Sequence, residues 1–331
     1  MSLKKVAVVF TGGTISMKVD KRLEAAIPAM SSQEILSMVT NIDKFADVET
    51  ITFGKFPGPH MNPDRIMELN QLVKALIARD DIDGVVITHG TDSIEETAFF
   101  LDLSLPDHKP IVMVAAMRNG SELGYDGPSN LSAAICTAIS DQARGKGVLL
   151  VMNNEINSAQ EVTKTHTMSL DTFKSMEFGP LGIIDNDEAI FYRDIIRHPH
   201  IDTDFYVKDV YLIKSVVGMD SEFIDFCIAK GAKGIIIEGM GRGNLPPEMV
   251  PGVMRAIEKD IRVVMVSRCP MGRVYDSYGY EGGGKMLRNA GVIFGGNLNG
   301  QKARIKLMLA LTVYHDLASI KQFFEKDLYS K

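Results

Sequence analysis

Gly84-Val-Val-Ile-Thr88, followed at once by His89-Gly-Thr-Asp-Ser-Ile-Glu-Glu-Thr97, is the stretch from which the fold can be read. Its first half is apolar and β-branched with no polar alternation, the pattern of a strand covered on both faces. Ser93 and Glu96 have the Ser-x-x-Glu spacing of a capping box, so a helix is expected from here through Ala98-Phe-Phe-Leu-Asp-Leu103. Thr91 and Asp92 then fall on the turn between a buried strand's carboxyl end and a helix, where open α/β sheets bind their ligands. A hydroxyl beside a carboxylate, next to free helix N–H groups, suits the polarisation of a carbonyl. The same two residues would also serve as plain helix caps.

On the amino-terminal side, Lys5–Phe10 reads as a first strand that breaks at Thr11-Gly-Gly-Thr-Ile15. Two glycines allow a sharp turn and a close approach to a ligand. No Gly-Lys-Ser/Thr and no Gly-x-Gly-x-x-Gly follows, so this is not a phosphate loop. Thr14 is a second hydroxyl at the end of a buried strand, and a simple turn threonine is the plainer reading of it. Met17–Pro28 is expected to be an irregular surface loop, and Ser31-Ser-Gln-Glu34 is another capping box. Val48–Phe53 reads as a strand. It leads into Phe56-Pro-Gly-Pro-His-Met-Asn-Pro63, where prolines forbid regular structure. Asp64–Arg79 is an amphipathic helix.

On the carboxyl side come a strand at Pro110–Ala116, a helix over Asn130–Ser140 with Pro128 in its first turn, and a strand at Gly147–Asn153. The polar segment Glu161-Val-Thr-Lys-Thr165 holds one cation, Lys164, which on its own reads as an exposed loop lysine. Strands then recur at Val210–Ser215, Gly234–Glu238 and Arg262–Ser267, with helices at Ser221–Lys230 and Pro247–Lys259. That is a second β-α-β-α-β run and so a second parallel sheet. Tyr278-Gly-Tyr-Glu-Gly-Gly-Gly284 reads as a flexible loop, and the last helices as Gln301–Val313 and Leu317–Lys326.

At 331 residues two domains are the natural expectation. We place them at 1–192 and 209–331, joined by a linker at 193–208. The fold class is α/β: two doubly wound domains, the larger amino-terminal one with a mostly parallel sheet, the smaller carboxyl-terminal one with a parallel sheet. Apolar residues make up 45% and charged residues 24% of the chain, the balance of a soluble globular protein. A net charge of −6 argues against nucleic acid. No apolar run approaches the roughly 20 residues that span a bilayer, and Val6-Ala-Val-Val-Phe10 is too short for a signal-peptide core. The three cysteines, Cys136, Cys227 and Cys269, have no paired spacing and read as reduced packing residues of a cytoplasmic protein. His198 and His200 have no carboxylate or cysteine nearby and do not make a metal site.

Thr14, Thr91, Asp92 and Lys164 thus lie at, or just beyond, strand ends of one sheet. Together they contain what amide hydrolysis requires. A hydroxyl attacks but needs an adjacent base; a lysine can be that base when burial lowers its pKa. A carboxylate can orient the lysine or hold a substrate ammonium. Backbone N–H groups at Gly13 and Gly90 can hold the oxyanion. No metal or organic cofactor is called for.

Thr-Gly-Gly-Thr-Ile (11–15), His-Gly-Thr-Asp-Ser-Ile-Glu-Glu-Thr-Ala (89–98), Ala-Met-Arg (116–118), Asp-Gly-Pro (126–128) and Val-Thr-Lys-Thr (162–165) resemble the bacterial-type L-asparaginases, as do Gly-Arg-Gly-Asn (241–244) and Gln-Lys-Ala-Arg (301–304). The resemblance covers nearly the whole chain. It implies two α/β domains, hydrolysis of L-asparagine to L-aspartate and ammonia with some glutaminase activity, no cofactor, and a homotetramer built as a dimer of intimate dimers. It makes Thr14 the nucleophile and Thr91, Lys164 and Asp92 the second, proton-managing group, with Asp92 also holding the substrate α-amino group. Gly13, Gly58, His60, Gly90 and Ala116 fall at substrate-binding positions. Asn244 and Glu281 would complete a neighbouring subunit's site, with Tyr278 or Tyr280 beside them. Two departures from the family pattern stand out. The mobile loop after the first motif has no tyrosine, the first in the chain being Tyr125. Gly58 stands where the family offers a serine to the substrate α-carboxylate, and a lost hydrogen bond to a charged group is worth about 1.5–3 kcal/mol. Gly58 and His60 therefore leave open the same mechanism on another amide: glutamine, a D-amino acid amide or an N-substituted asparagine. The missing tyrosine leaves open a catalytically weak amino-acid-binding regulator.

Overall fold

The structure, a computed structural model, describes residues 3–40, 42–197 and 199–325. The chain divides into two compact units, residues 1–200 and 201–331.

The first unit is built on an eight-stranded sheet. Its parallel part holds Lys4–Gly12 (β1), Ala46–Phe56 (β4), Gly84–Thr88 (β5), Ile111–Val114 (β6) and Val148–Met152 (β7). Between β1 and β4 lies a hairpin of Met17–Asp20 (β2) and Ala25–Pro28 (β3), and Glu155–Ser158 (β8) turns back along β7. Thr163–Lys164 (β9) and Phe173–Lys174 (β10) form a separate two-stranded ribbon, and Gly182–Asp185 (β11) and Glu188–Phe191 (β12) add the antiparallel edge. The sheet order is β12-β11-β8-β7-β6-β5-β1-β4. Helices Ser32–Ser37 (α1), Pro63–Ile77 (α2), Ile94–Ser104 (α3) and Gly127–Ile139 (α4) complete the unit. Val6, Val8, Phe10 and Val86 join α4's Leu131, Ala134 and Ile135 in one core. Ala7, Val9, Val85 and Ile87 join Leu69 and Val73 of α2 and Ala98 and Leu101 of α3 in another. The two-residue alternation of strand side chains thus feeds a core on each face, which is why these strands are apolar throughout.

The second unit repeats the plan with Val210–Lys214 (β13), Gly234–Gly239 (β14), Arg262–Ser267 (β15) and Ile293–Phe294 (β16) in one parallel sheet. Glu222–Ala229 (α5) and Val250–Glu258 (α6) pack with Ile235, Ile237, Val263 and Met265. Gly284–Ala290 (α7), Gly300–Val313 (α8) and Leu317–Glu325 (α9) follow. Leu307 of α8 covers Gly234, on the sheet face opposite Ile235.

Several sequence expectations need correction. Met17–Pro28 is not an irregular loop but the β2–β3 hairpin. Strands β8, β9, β10, β11, β12 and β16 and helix α7 have no counterpart in the sequence pattern; all of the strands among them are four residues or fewer. Phe56–Pro63 contains a 3₁₀ turn at Gly58–His60. The Ser31 capping box forms in full. That at Ser93 does not: its side chain makes no capping bond, and its hydroxyl donates instead to the Gly58 carbonyl at 2.6 Å. Cys136 and Cys227 are buried, but Cys269 is exposed and packs no core. His198 and Lys326 lie outside the described residues.

Candidate active site

The ends of β1 and β5 are fastened to each other before either chain leaves the sheet. Thr11 Oγ1 donates to the Thr88 carbonyl at 2.7 Å, and the Thr11 N–H reaches Thr88 Oγ1 at 3.3 Å. Both threonines are fully buried. Beyond them three glycines stack. A Cβ on Gly13 would lie 2.5 Å from the His89–Gly90 peptide, and one on Gly90 would lie 2.5 Å from Gly58 N and Cα. Gly13 also holds φ at +81°, a region in which side chains other than glycine's are strained. The absence of side chains here lets the two loops of the first sequence motifs touch through their backbones. Thr14 follows directly, as the first residue of a 3₁₀ turn over Thr14–Ser16.

His89 fixes the other loop. Its side chain is fully buried, with Nδ1 2.9 Å from the Gly90 carbonyl and Nε2 3.0 Å from Thr97 Oγ1 on α3. A carbonyl only accepts, so Nδ1 carries the proton and Nε2 accepts from the Thr97 hydroxyl. Burial pushes its pKa down to about 4, against a smaller opposing effect of the Gly90 carbonyl. The ring is a neutral tie between strand end and helix. The sequence places His89 in the motif but gives no hint of this role, because the partner eight residues on is a threonine with no catalytic signature.

Thr91, Asp92 and Lys164 come together. Lys164 Nζ donates to Thr91 Oγ1 at 3.0 Å and to Asp92 Oδ1 at 2.8 Å. Thr91 is buried, Lys164 has 18% of its side chain exposed and Asp92 has 61%. The lysine arrives from the β9–β10 ribbon, where Lys164 pairs with Phe173 and Thr165 N–H donates to the Thr172 carbonyl. A cation 72 residues away along the chain is thereby delivered to the strand-to-helix turn.

Other expected site residues divide. The Gly13 N–H donates to the Phe56 carbonyl at 2.9 Å, so it holds β1 against β4 and, contrary to the expectation, is not free to meet an oxyanion. Ala116 is fully buried in the core, which leaves only its main chain for a ligand. Gly58 is buried, and a Cβ there would lie 3.3 Å from Asp92 N; its missing side chain therefore opens no sizeable cavity against Asp92. His60 is exposed, and its carbonyl accepts from Arg65. In the second unit, Asn244 Oδ1 accepts from the Gly284 N–H at 3.2 Å and Leu245 N–H donates to the Gly282 carbonyl, so the loops of Asn244 and Glu281 adjoin. Tyr278 and Tyr280 are exposed, their rings 5.6 Å apart. Among the described residues no three His, Cys, Asp or Glu side chains cluster as metal ligands, and no helix is long and apolar enough to cross a membrane.

The family model described as asparaginase, N-terminal, matches residues 5–197, and that of the glutaminase/asparaginase C-terminal domain matches residues 209–324. An L-asparaginase of Bacillus licheniformis is 33% identical over 95% of this chain and 97% of its own. A glutaminase-asparaginase of Pseudomonas fluorescens is 30% identical over 97% and 90%. The crystal structure of a probable cytoplasmic L-asparaginase from Campylobacter jejuni superposes with a TM-score of 0.87 at 32% identity, covering 97% of this chain and 99% of that one. With both domain models matched in order and relatives aligned along nearly their full lengths, this chain belongs to the asparaginase family of amide hydrolases.

Proposed function

We propose that the protein hydrolyses L-asparagine to L-aspartate and ammonia by nucleophilic catalysis from Thr14. The observation that carries this reading is Lys164 Nζ, held between Thr91 Oγ1 at 3.0 Å and Asp92 Oδ1 at 2.8 Å on the turn that packs against Gly13. In this reading Thr14 Oγ1 attacks the side-chain amide carbon. The hydroxyl proton passes by way of Thr91 Oγ1, which Lys164 Nζ holds, towards the departing nitrogen, and the Gly90 N–H faces the developing oxyanion. Collapse breaks the C–N bond; the nitrogen takes a proton and leaves as ammonia. Water then cleaves the resulting ester, activated through the same pair, and the products are aspartate and free Thr14. Asp92, more open to solvent than its two neighbours, both orients Lys164 and meets the substrate ammonium.

Ammonia release by wild type and by Thr14→Val, Thr91→Val and Lys164→Met tests these roles. Loss of a nucleophile within such a unit lowers kcat by on the order of 10⁴–10⁶; activity unchanged in Thr14→Val would remove it from the mechanism. A wider amide range is favoured by one observation, the absence of a hydroxyl at Gly58. The same assay on L-glutamine, D-asparagine and N-substituted asparagines separates the two readings, since a strong preference for free L-asparagine excludes the wider one. Residues 193–208 are proposed as the interdomain linker, the cytoplasm as the compartment, and a homotetramer as the working form, with Asn244 and Glu281 completing a neighbour's site.

A further inference from the structure

The carbonyls that follow Gly12 are bonded one by one. Gly13 accepts from Ser16 N–H and Ser16 Oγ, and Thr14 from Met17 N–H. Ser16 accepts from Ala29 and Met30, and Met17 from Gly120 N–H at 2.9 Å. Ile15 is the awkward member. The 3₁₀ turn ends at Ser16, and Lys18, which would donate in a longer turn, already lies in β2 opposite Ile27. A buried carbonyl left bare is costly, and Ile15 is fully buried. Its acceptor is met by the hydroxyl of Tyr125, 110 residues away along the chain.

Tyr125 belongs to the loop between β6 and α4, which is itself fixed. The Asp126 carboxylate accepts from Met117 N–H at 3.0 Å, Arg118 N–H at 2.9 Å and Asn130 Nδ2 at 2.9 Å. The same loop grips the next residues past the turn: Gly120 holds Met17, and Ser121 Oγ accepts from Val19 N–H at 3.0 Å. The phenol ring fits only because position 127 is glycine. A Cβ there would lie 2.3 Å from the Tyr125 hydroxyl oxygen and 2.4–2.5 Å from two ring carbons.

We propose that Tyr125 is a positioning residue for Thr14, its hydroxyl fixing through the Ile15 carbonyl the turn on which the nucleophile stands. The inference rests on the reading of Thr14 given above. The segment after the first motif, which has no tyrosine of its own, is thus held by a tyrosine from another loop. Burial, and after it the Asp126 carboxylate, raises the pKa of the Tyr125 phenol well above its ordinary value, so the group stays a donor across the working pH range.

The test is Tyr125→Phe, which keeps the ring and removes the donor. The expected result is a kcat lowered about ten- to a hundredfold, the scale of a small misplacement of a reacting atom. Binding of L-aspartate should stay within about twofold, while the melting temperature falls by about a few degrees because the Ile15 carbonyl is left bare; a merely structural residue would not split rate from binding in this way. Gly127→Ala, which pushes the ring aside but leaves the hydroxyl, should reproduce the rate loss. Ser121→Ala, acting four residues beyond Ile15, should leave kcat within about twofold of wild type. A wild-type kcat in Tyr125→Phe, or a rate loss matched by lost aspartate binding, overturns the inference. Thr14→Val assayed alongside keeps the two failures apart. If it is inactive while Tyr125→Phe is unaffected, only the positioning role falls; if it is active, the nucleophile assignment falls and takes this inference with it.

Discussion

His89 stands two residues from Thr91 and does none of the proposed chemistry, yet it has a clear signature in pH. Its folded-state pKa of about 4 lies below the ordinary 6.5 because burial disfavours the imidazolium. The unfolded chain therefore binds a proton at higher pH than the folded one. The associated stability is fully present above pH about 6.5 and is lost as pH falls towards about 4, in total about 3 kcal/mol. Urea unfolding of wild type should show free energy falling through this window, and His89→Asn should show a shallower fall from a lower starting value. Equal slopes in the two proteins would mean that the imidazole is not held neutral. At the same scale Gly13, Gly58 and Gly90 act by what they lack, since each lets one backbone reach another.

At the level of elements, the strand Gly84–Thr88, the helix after it and the first strand with its double-glycine turn were legible, because burial on both faces writes itself as an uninterrupted apolar run. So was the repeat of that plan in the second unit. The hairpin Met17–Pro28 was not: it is exposed along much of its length, so no apolar alternation marks it. Strands β9 and β10 have two residues each, below the length at which any period can be read. That is also why Lys164 reads in the sequence as a solvated loop lysine, although the ribbon carries it to Thr91 and Asp92. Ser93 shows the reverse error. Its spacing to Glu96 is that of a cap, but the glycine at 58 brings a carbonyl within 2.6 Å and the hydroxyl goes there. Local signals thus mark the long buried elements and their order, and long-range backbone contacts decide which side chain meets which.

For the whole molecule, the proposal of shared sites makes a prediction that no single-chain argument can. If Asn244 serves a neighbour's Thr14, mixtures of inactive Thr14→Val and Asn244→Ala proteins, unfolded together and refolded, should recover activity. Random pairing puts both intact residues at up to about a quarter of the sites. No recovery, with mixed oligomers verified by mass, would show that each chain's site is complete in itself. The central claim is narrower: the alcohol of Thr14 becomes covalently bound to substrate on the turn served by Thr91, Lys164 and Asp92. Acid quenching during the first turnover of L-asparagine, followed by peptide mass spectrometry, tests this most directly. The account predicts an aspartyl ester on the peptide containing Thr14, present in wild type and absent from Thr14→Val. An ester on another residue, or full turnover by Thr14→Val, would contradict it.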